Sequence, residues 1–231
     1  WLGAASGNPI LYKDPPYETL RDFAPITQVS SFLMVLLVNP DSPAKTVKEL
    51  VDLARAKPGA MNYGSPGNAT TAHLTTELFK RNAGIDMLHV PFKGEAPTLN
   101  ELMAGRLSAL FITLTSALPQ IRAGKVRALG IASKERSKLA PDIPTIAESG
   151  VPDFDVPGWH GILAPAHTPK AIVDRLSREF SLILEEPDFR VRLAGLGVEP
   201  VGSSPEAFAA RIRDETERWR KVVIDAGIKA D

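Results

Sequence analysis

The sequence predicts an α/β fold in which largely parallel strands alternate with amphipathic helices. Short apolar runs rich in β-branched and aromatic residues recur along residues 32–164, and stretches with helical periodicity separate them. The connections are short and several end on glycine, as they do in βαβ units. These observations favour mixed, mostly parallel sheets flanked by helices.

Six segments are predicted as strands and seven as helices. The strands are residues 32–38, 61–63, 87–90, 109–114, 126–132 and 161–164. The helices are residues 46–57, 69–84, 97–104, 116–123, 169–185, 188–196 and 205–226. Long helices dominate after residue 164, so the C-terminal part is expected to form a docking layer.

Composition and charge exclude several classes of function. Lys and Arg together number 27, as do Asp and Glu, so no overall field favours nucleic acid or an acidic membrane surface. The absence of cysteine excludes disulfides and thiolate chemistry. The longest apolar run, residues 32–38, is far shorter than the roughly 20 residues of a membrane-spanning helix. Because the chain opens on Trp1 without a signal-peptide pattern, a preceding leader is expected.

The first candidate binding element is residues 64–72, Gly-Ser-Pro-Gly-Asn-Ala-Thr-Thr-Ala, between a predicted strand and a predicted helix. A helix start exposes unpaired N–H groups with partial positive charge, so the polar side chains of this segment can face a carboxylate or a phosphate. These side chains are Ser65, Asn68, Thr70 and Thr71. Ordinary helix capping explains the same residues equally well. The segment lacks the Walker A and dinucleotide-binding glycine patterns, which disfavours nucleotides.

Two further segments place functional groups near strand ends. Residues 90–97 turn from a strand into a helix, and the backbone at Gly94 and Ala96 is a ligand candidate. Trp159 and His160 stand between glycines before another strand, where they could form a pocket wall and a hydrogen-bond donor. The alternative is a core tryptophan beside an incidental histidine. The flanking glycines favour the pocket slightly, because they allow close backbone approach.

A catalytic reading has little support. Ser65, His160 and Asp155 have the residue types of a catalytic triad, but the Gly-x-Ser-x-Gly elbow is absent and nothing in the sequence brings the three together. The sequence therefore predicts no catalytic residue.

Metal binding is also disfavoured. His73 and Glu77 are one helical turn apart, as metal ligands often are, but no third ligand is clustered with them. His89 and His167 stand alone in a predicted strand and a proline-rich loop. We expect neither a metal nor a cofactor.

Ten segments occur in the order of one known family across nearly the whole chain. They are residues 8–12, 20–25, 43–50, 57–59, 63–74, 89–94 (His-Val-Pro-Phe-Lys-Gly), 116–119, 123–129, 142–150 (Asp-Ile-Pro-Thr-Ile-Ala-Glu-Ser-Gly) and 163–165. With these segments the chain resembles the periplasmic solute-binding proteins of tripartite tricarboxylate transporters, also called the Bug family.

The resemblance implies a two-lobed, type II periplasmic-binding-protein-like fold. Lobe one would comprise residues 1–40 and 156–231, and lobe two residues 41–155. The lobes would close on a small carboxylate and deliver it to a membrane permease. Family members begin with a signal peptide, a first strand and a glycine-rich loop. These elements are expected to be missing here, and with them half of the carboxylate cradle.

The resemblance also implies a set of ligand-binding residues. Where many relatives have an Asp-Asn or similar pair, this chain has Ile112 and Thr113, so that edge of the pocket should be less polar. Together with Trp159, this favours an aromatic or otherwise apolar-bodied carboxylate over a citrate-like one. The candidate ligand-binding residues are Ser6, Ser65, Asn68, Ala69, Thr70, Thr71, Gly94, Ala96, Thr113, Trp159 and His160.

The resulting prediction is a periplasmic, monomeric binding protein without enzymatic activity, cofactor, metal or nucleic-acid partner. Its partners would be a small carboxylate and the permease subunits of the transporter. The candidate classes of carboxylate are aromatic acids and dicarboxylates. Two alternatives stay open at this point: an enzyme of small-carboxylate metabolism that uses the same anion cradle, and a ligand sensor.

Overall fold

The computed structural model describes residues Ala5, Ile10 and 15–228, which form two compact units. The first unit contains the described residues up to Phe32 and those from Gly158 onward, and the second unit is Leu33–Pro157. The sequence placed the lobe boundaries near residues 40 and 155 instead. The N-terminal boundary differs because the strand that begins at residue 34 pairs inside the sheet of the second unit.

In the described part of the chain, the first unit consists of a three-stranded antiparallel sheet and four helices. Its elements are α1 (Thr19–Asp22), β1 (Phe23–Phe32), β7 (Gly158–Pro165), α6 (Lys170–Glu185), α7 (Pro187–Gly195), β8 (Glu199–Pro200) and α8 (Pro205–Asp225). The strand order is β7-β1-β8. Phe208, Ile212 and Trp219 project from one face of α8 and are buried in the core of this unit.

Strand β1 is absent from the predicted elements because its sequence, Phe-Ala-Pro-Ile-Thr-Gln-Val-Ser-Ser-Phe, is not an apolar run. Its buried polar groups find partners far along the chain. The hydroxyl of Thr27 donates to the Ser203 carbonyl at 2.9 Å, and the Gln28 amide donates to the Ser203 hydroxyl at 2.9 Å. These bonds satisfy polar groups that would otherwise oppose burial.

The second unit is a five-stranded mixed sheet flanked by helices. Its elements are β2 (Met34–Val38), α2 (Val47–Ala56), β3 (Asn62–Ser65), α3 (Thr71–Ala83), β4 (Leu88–Pro91), α4 (Glu95–Met103), β5 (Ala109–Thr113), α5 (Leu114–Arg122) and β6 (Arg127–Ile131). The strand order is β4-β3-β5-β2-β6. The helix-rich α/β class with mixed sheets is confirmed.

The strands are less parallel than the sequence suggested. Among the described pairings of both sheets, only β3 with β4 and β3 with β5 are parallel. Strand β2 lies between β5 and β6 and is antiparallel to both. All five residues of β2 are apolar and buried, which suits a central strand but carries no information about strand direction.

Three parallel strands end at the same edge of this sheet, at Ser65, Pro91 and Thr113, and each is followed by a helix. Ligands of open α/β sheets bind at the carboxyl ends of parallel strands, so this edge is where a site is expected. None of the helices in the described part of the chain has both the length and the apolar composition needed to cross a membrane.

Candidate functional site

The turn that joins β3 to α3 is organised around the hydroxyl of Ser65. This side chain is fully buried, and its Oγ lies 2.9 Å from the Gly67 carbonyl oxygen and 2.6 Å from Nε2 of His89. The hydroxyl has one proton. The Gly67 carbonyl can accept it, and so can Nε2 of His89 in the tautomer that carries its proton on Nδ1. In this structure Ser65 therefore shapes the turn from inside.

Two residues at the end of the turn cap and orient α3. Thr70 is the N-cap: its Oγ1 accepts from the His73 amide at 3.4 Å and donates to the Gly67 carbonyl at 2.8 Å. Ala69 has a left-handed backbone conformation, with φ of 55°, which costs an L-residue about 1 kcal/mol. Its amide donates to Nδ1 of His73 at 3.1 Å, so this amide is directed into the protein.

A column of three aromatic rings lies inside the unit next to this turn. The rings of His73 and His89 stack with their centroids 3.8 Å apart, and His89 stacks on Tyr63 at 4.9 Å. Burial lowers the pKa of His73 to about 3, with smaller contributions from His89 and Lys80. His73 is therefore neutral at physiological pH, and its Nδ1 can accept a hydrogen bond.

Burial disfavours the charged form of Tyr63 as well and therefore raises its pKa. The Tyr63 hydroxyl donates to the carboxylate of Glu77. Lys80 pairs with the same carboxylate at 2.8 Å. From their spacing, His73 and Glu77 were considered as metal ligands, and a metal site was disfavoured. In the structure the two side chains take part in separate hydrogen bonds. No group of three or more potential metal ligands occurs among the described residues.

The first turn of α3 retains unused hydrogen-bonding capacity. Thr71 is 5% exposed, and its hydroxyl is buried without a partner in the described part of the chain. The described residues supply no acceptor for the amides of Thr71 and Ala72. The first turn itself contains no acidic residue, and half-buried Asn68 lies in the turn just before it. This helix start can accommodate an anion.

The segment after β4 runs alongside this turn. The Gly94 amide donates to the Pro66 carbonyl at 3.0 Å, and the Phe92 amide donates to the Ser65 carbonyl at 2.9 Å. Gly94 caps α4 with φ of 109°, a conformation that favours glycine. Its amide is thus already bonded within the protein, while Ala96 in the first turn of α4 is exposed.

A carboxylate of the protein itself occupies the start of α4. Glu95 Oε2 accepts from the Ser116 hydroxyl at 2.6 Å and from the Thr113 hydroxyl at 3.1 Å. Thr113, predicted as a ligand-binding hydroxyl, ends β5 and is half-buried. Sequence reasoning missed Glu95 and Ser116 as members of the site, because their meeting depends on the pairing of distant elements.

Trp159 belongs to the core of the first unit. It is 1% exposed and packs edge-to-face on Phe208, with ring centroids 5.2 Å apart. The flanking glycines make room for aromatic rings of the same unit: a Cβ at Gly158 would overlap Phe32, and one at Gly161 would overlap Phe208. The close approach expected from these glycines is therefore explained by internal packing.

His160 follows Trp159 on β7 and is exposed. Its Nδ1 lies 3.0 Å from the Ser30 hydroxyl, and its ring packs against Phe32 with centroids 4.7 Å apart. Ser6, the remaining predicted ligand residue, lies outside the described residues. The structure thus brings the predicted residues of segments 65–71, 94–96 and 113 together in the second unit, and it places Trp159 and His160 in the first.

A cavity of about 620 Å³ opens at the opposite edge of the second unit's sheet. It is lined by residues before β3 and β5 and after β2, among them Asn39, Leu53, Met61, Met103 and Ser108. None of the predicted ligand residues lines it, so it is separate from the candidate site.

Comparison with known proteins places these features in a family. The family model described as tripartite tricarboxylate transporter family receptor matches residues 3–228. A protein of Pseudomonas sp. strain P51, encoded in the tcbD-tcbE intergenic region, is 37% identical over 95% of this chain. The chain spans 66% of the length of that relative.

Solved structures agree with this match. The periplasmic binding protein BugD is 31% identical and superposes with a TM-score of 0.85, covering 99% of this chain and 77% of that one. R. palustris Rpa4515, solved with adipate, is 33% identical with a TM-score of 0.89, covering 98% of this chain and 76% of that one. The predicted family and the periplasmic-binding-protein fold are confirmed. The chain belongs to the receptor family of the tripartite tricarboxylate transporters.

Proposed function

We propose that this chain binds a small carboxylate at the start of α3 and serves as the solute receptor of a tripartite tricarboxylate-type transporter. One observation carries the proposal: Thr71 presents a buried hydroxyl that has no partner among the residues the structure describes, in a first turn that has no acidic residue. An anion there would accept from the hydroxyl and from the amides of Thr71 and Ala72. A buried polar group left unpaired is costly, so a ligand that pairs it is stabilised.

Membership of the family supports the transport role. Family members are receptors of tripartite tricarboxylate transporters, and a structural neighbour was solved with the dicarboxylate adipate. We therefore place the protein in the periplasm, with the transporter's membrane subunits as partners. Ser65 is fully buried and its hydroxyl contacts the Gly67 carbonyl, which supports a binding role for the turn, because a nucleophile has to be accessible to its substrate.

Isothermal titration calorimetry with a panel of small carboxylates tests the proposal. At least one member of the panel should bind with a Kd on the order of micromolar. Thr71→Val keeps the shape of the side chain and removes its hydroxyl, so it should weaken that binding by about tenfold, the value of one hydrogen bond to a charged group.

Thr75 provides a matched control on the same helix. Its hydroxyl is also buried without a partner in the described part of the chain, but it lies one turn further from the helix start. Thr75→Val should leave the Kd unchanged. The proposal is wrong if no carboxylate binds, or if the two variants bind equally well. Conversion of the ligand to a product during the titration would show an enzyme instead.

A further inference from the structure

Two helix starts on the edge of the second unit's sheet differ in charge. The first turn of α3 has no acidic residue, whereas Glu95 is the first residue of α4. A negative side chain at a helix start offsets the partial positive charge of the helix dipole. A ligand carboxylate is therefore attracted to the start of α3 and is not attracted to the start of α4.

Hydroxyl groups hold the carboxylate of Glu95 in place. The Oε2 atom lies 2.6 Å from Ser116 Oγ and 3.1 Å from Thr113 Oγ1, and the two hydroxyl oxygens are 2.9 Å apart. Each hydroxyl has a single proton, and both protons have acceptors inside this group of three side chains. The Glu95 cluster, defined as Glu95, Thr113 and Ser116, therefore offers a ligand only lone pairs.

No Lys or Arg in the described part of the chain forms an ion pair with this cluster. Glu95 takes part in none of the described ion pairs. Lys93 is two residues away, but its side chain is exposed and makes no described bond to Glu95. Because Glu95 is half-buried, solvent screens its charge less than it screens a fully exposed carboxylate.

The Glu95 cluster and the start of α3 belong to one site edge. Backbone hydrogen bonds from Gly94 to Pro66 and from Phe92 to Ser65 tie the two segments together. The negatively charged, acceptor-only Glu95 cluster therefore lies on the same sheet edge as Thr71, on elements bonded to the turn that precedes it.

Resting on the proposed carboxylate site, we infer that the Glu95 cluster selects ligands that carry a hydrogen-bond donor or a positive charge at the end opposite the carboxylate. An ammonium group can donate to Glu95 and to the Thr113 hydroxyl oxygen. A second carboxylate would meet a like charge and no donor, which selects against it. The favoured class is the linear amino acid with a terminal amino group, and dicarboxylates are disfavoured.

Calorimetry with ligands of matched length tests this inference. The pairs are γ-aminobutyrate with succinate and δ-aminovalerate with glutarate, which differ only in the terminal group. The amino acid of a pair should bind about tenfold more tightly than the dicarboxylate, the factor expected for one partly screened charge contact.

Glu95→Gln retains the shape and an acceptor oxygen but removes the charge, so it should reduce that preference by about tenfold. Glu101→Gln is the matched control, because Glu101 lies on the same helix, is paired with Arg106 and lies away from the cluster. It should keep the preference of the unmodified protein.

The outcomes separate this inference from the proposed function. Binding that is weakened by Thr71→Val but shows tighter dicarboxylate affinity, or a preference unchanged by Glu95→Gln, would overturn the inference alone. Absence of any carboxylate binding would overturn the proposed function, and with it the inference that depends on it.

Discussion

His73 and His89 stack with ring centroids 3.8 Å apart, although one lies on a helix and the other on a strand. Each ring supports a different part of the same turn: His73 accepts from the Ala69 amide, and His89 is hydrogen-bonded to the Ser65 hydroxyl. The pair therefore holds the turn that leads to Thr71 at two points from inside the protein.

Replacement of His73 by leucine should destabilise the protein. The substitution removes the acceptor for the Ala69 amide and leaves a buried donor unpaired, which costs about 1–3 kcal/mol. Urea denaturation measures the loss. The exposed His167 provides the control, since His167→Leu should change the free energy of unfolding by less than about 0.5 kcal/mol. Equal stabilities for the two variants would contradict the role assigned to His73.

The stability of the protein should depend on pH through the same side chain. The folded-state pKa of His73 is about 3, below its ordinary value of 6.5, so only the unfolded state takes up this proton at intermediate pH. The contribution of His73 to the stability of the folded state is fully present above about pH 6.5. It is lost as the pH falls toward about 3.

The unmodified protein should accordingly lose about 2 kcal/mol more than His73→Leu between about pH 6.5 and about pH 5. Urea denaturation at a series of pH values checks this difference. His167→Leu should follow the profile of the unmodified protein, and a His73→Leu profile of the same slope would refute the assignment.

Alanine at Gly161 should destabilise the first unit. Its Cβ would overlap the ring of Phe208, which is 1% exposed and packed on Trp159, so the ring has little room to move. Overpacking of this kind costs about 1–3 kcal/mol. Gly195→Ala is the contrasting variant: its site on α7 is open, and alanine should stabilise the helix by about 0.5–1 kcal/mol. Thermal denaturation should shift in opposite directions for the two variants.

Ser65→Ala should weaken carboxylate binding through the shape of the turn. It removes the bonds to Gly67 and His89, which should lower the free energy of unfolding by about 1 kcal/mol and the affinity by about tenfold. Ser108 has comparable bonds to Asn62 near the other end of these strands. Ser108→Ala should lower the free energy of unfolding by a similar amount but leave the Kd unchanged. If both variants lost the same affinity, the role assigned to the turn would be contradicted.

Much of the local structure could be read from the sequence. The helix predicted to follow Asn68 and run to Gly84 is observed as α3, with Thr70 as its N-cap and Gly84 as its left-handed C-cap. Caps and apolar periodicity are local properties, which is why these bounds were accessible. Strand β1 was not accessible in the same way, because partners contributed by Ser203 stabilise its polar residues.

The candidate site shows the same division. The segment that starts α3 was identified from its small polar residues, and its family resemblance was confirmed. Sequence reasoning could not show that Ser65 is fully buried, because burial depends on what packs over a residue. It also treated His89 as isolated, since the parallel pairing of Tyr63 with His89 is a long-range contact.

By itself, the sequence determined the α/β class, most helix bounds, the family and the segment that carries the proposed anion site. Only the tertiary structure decided that the glycines around Trp159 accommodate Phe32 and Phe208, and that Glu95 meets Thr113 and Ser116 at the site edge. The physical reason is range: propensity and capping act between neighbours in the chain, whereas burial, like-charge repulsion and hydrogen-bond partners depend on which distant residues the sheet brings together.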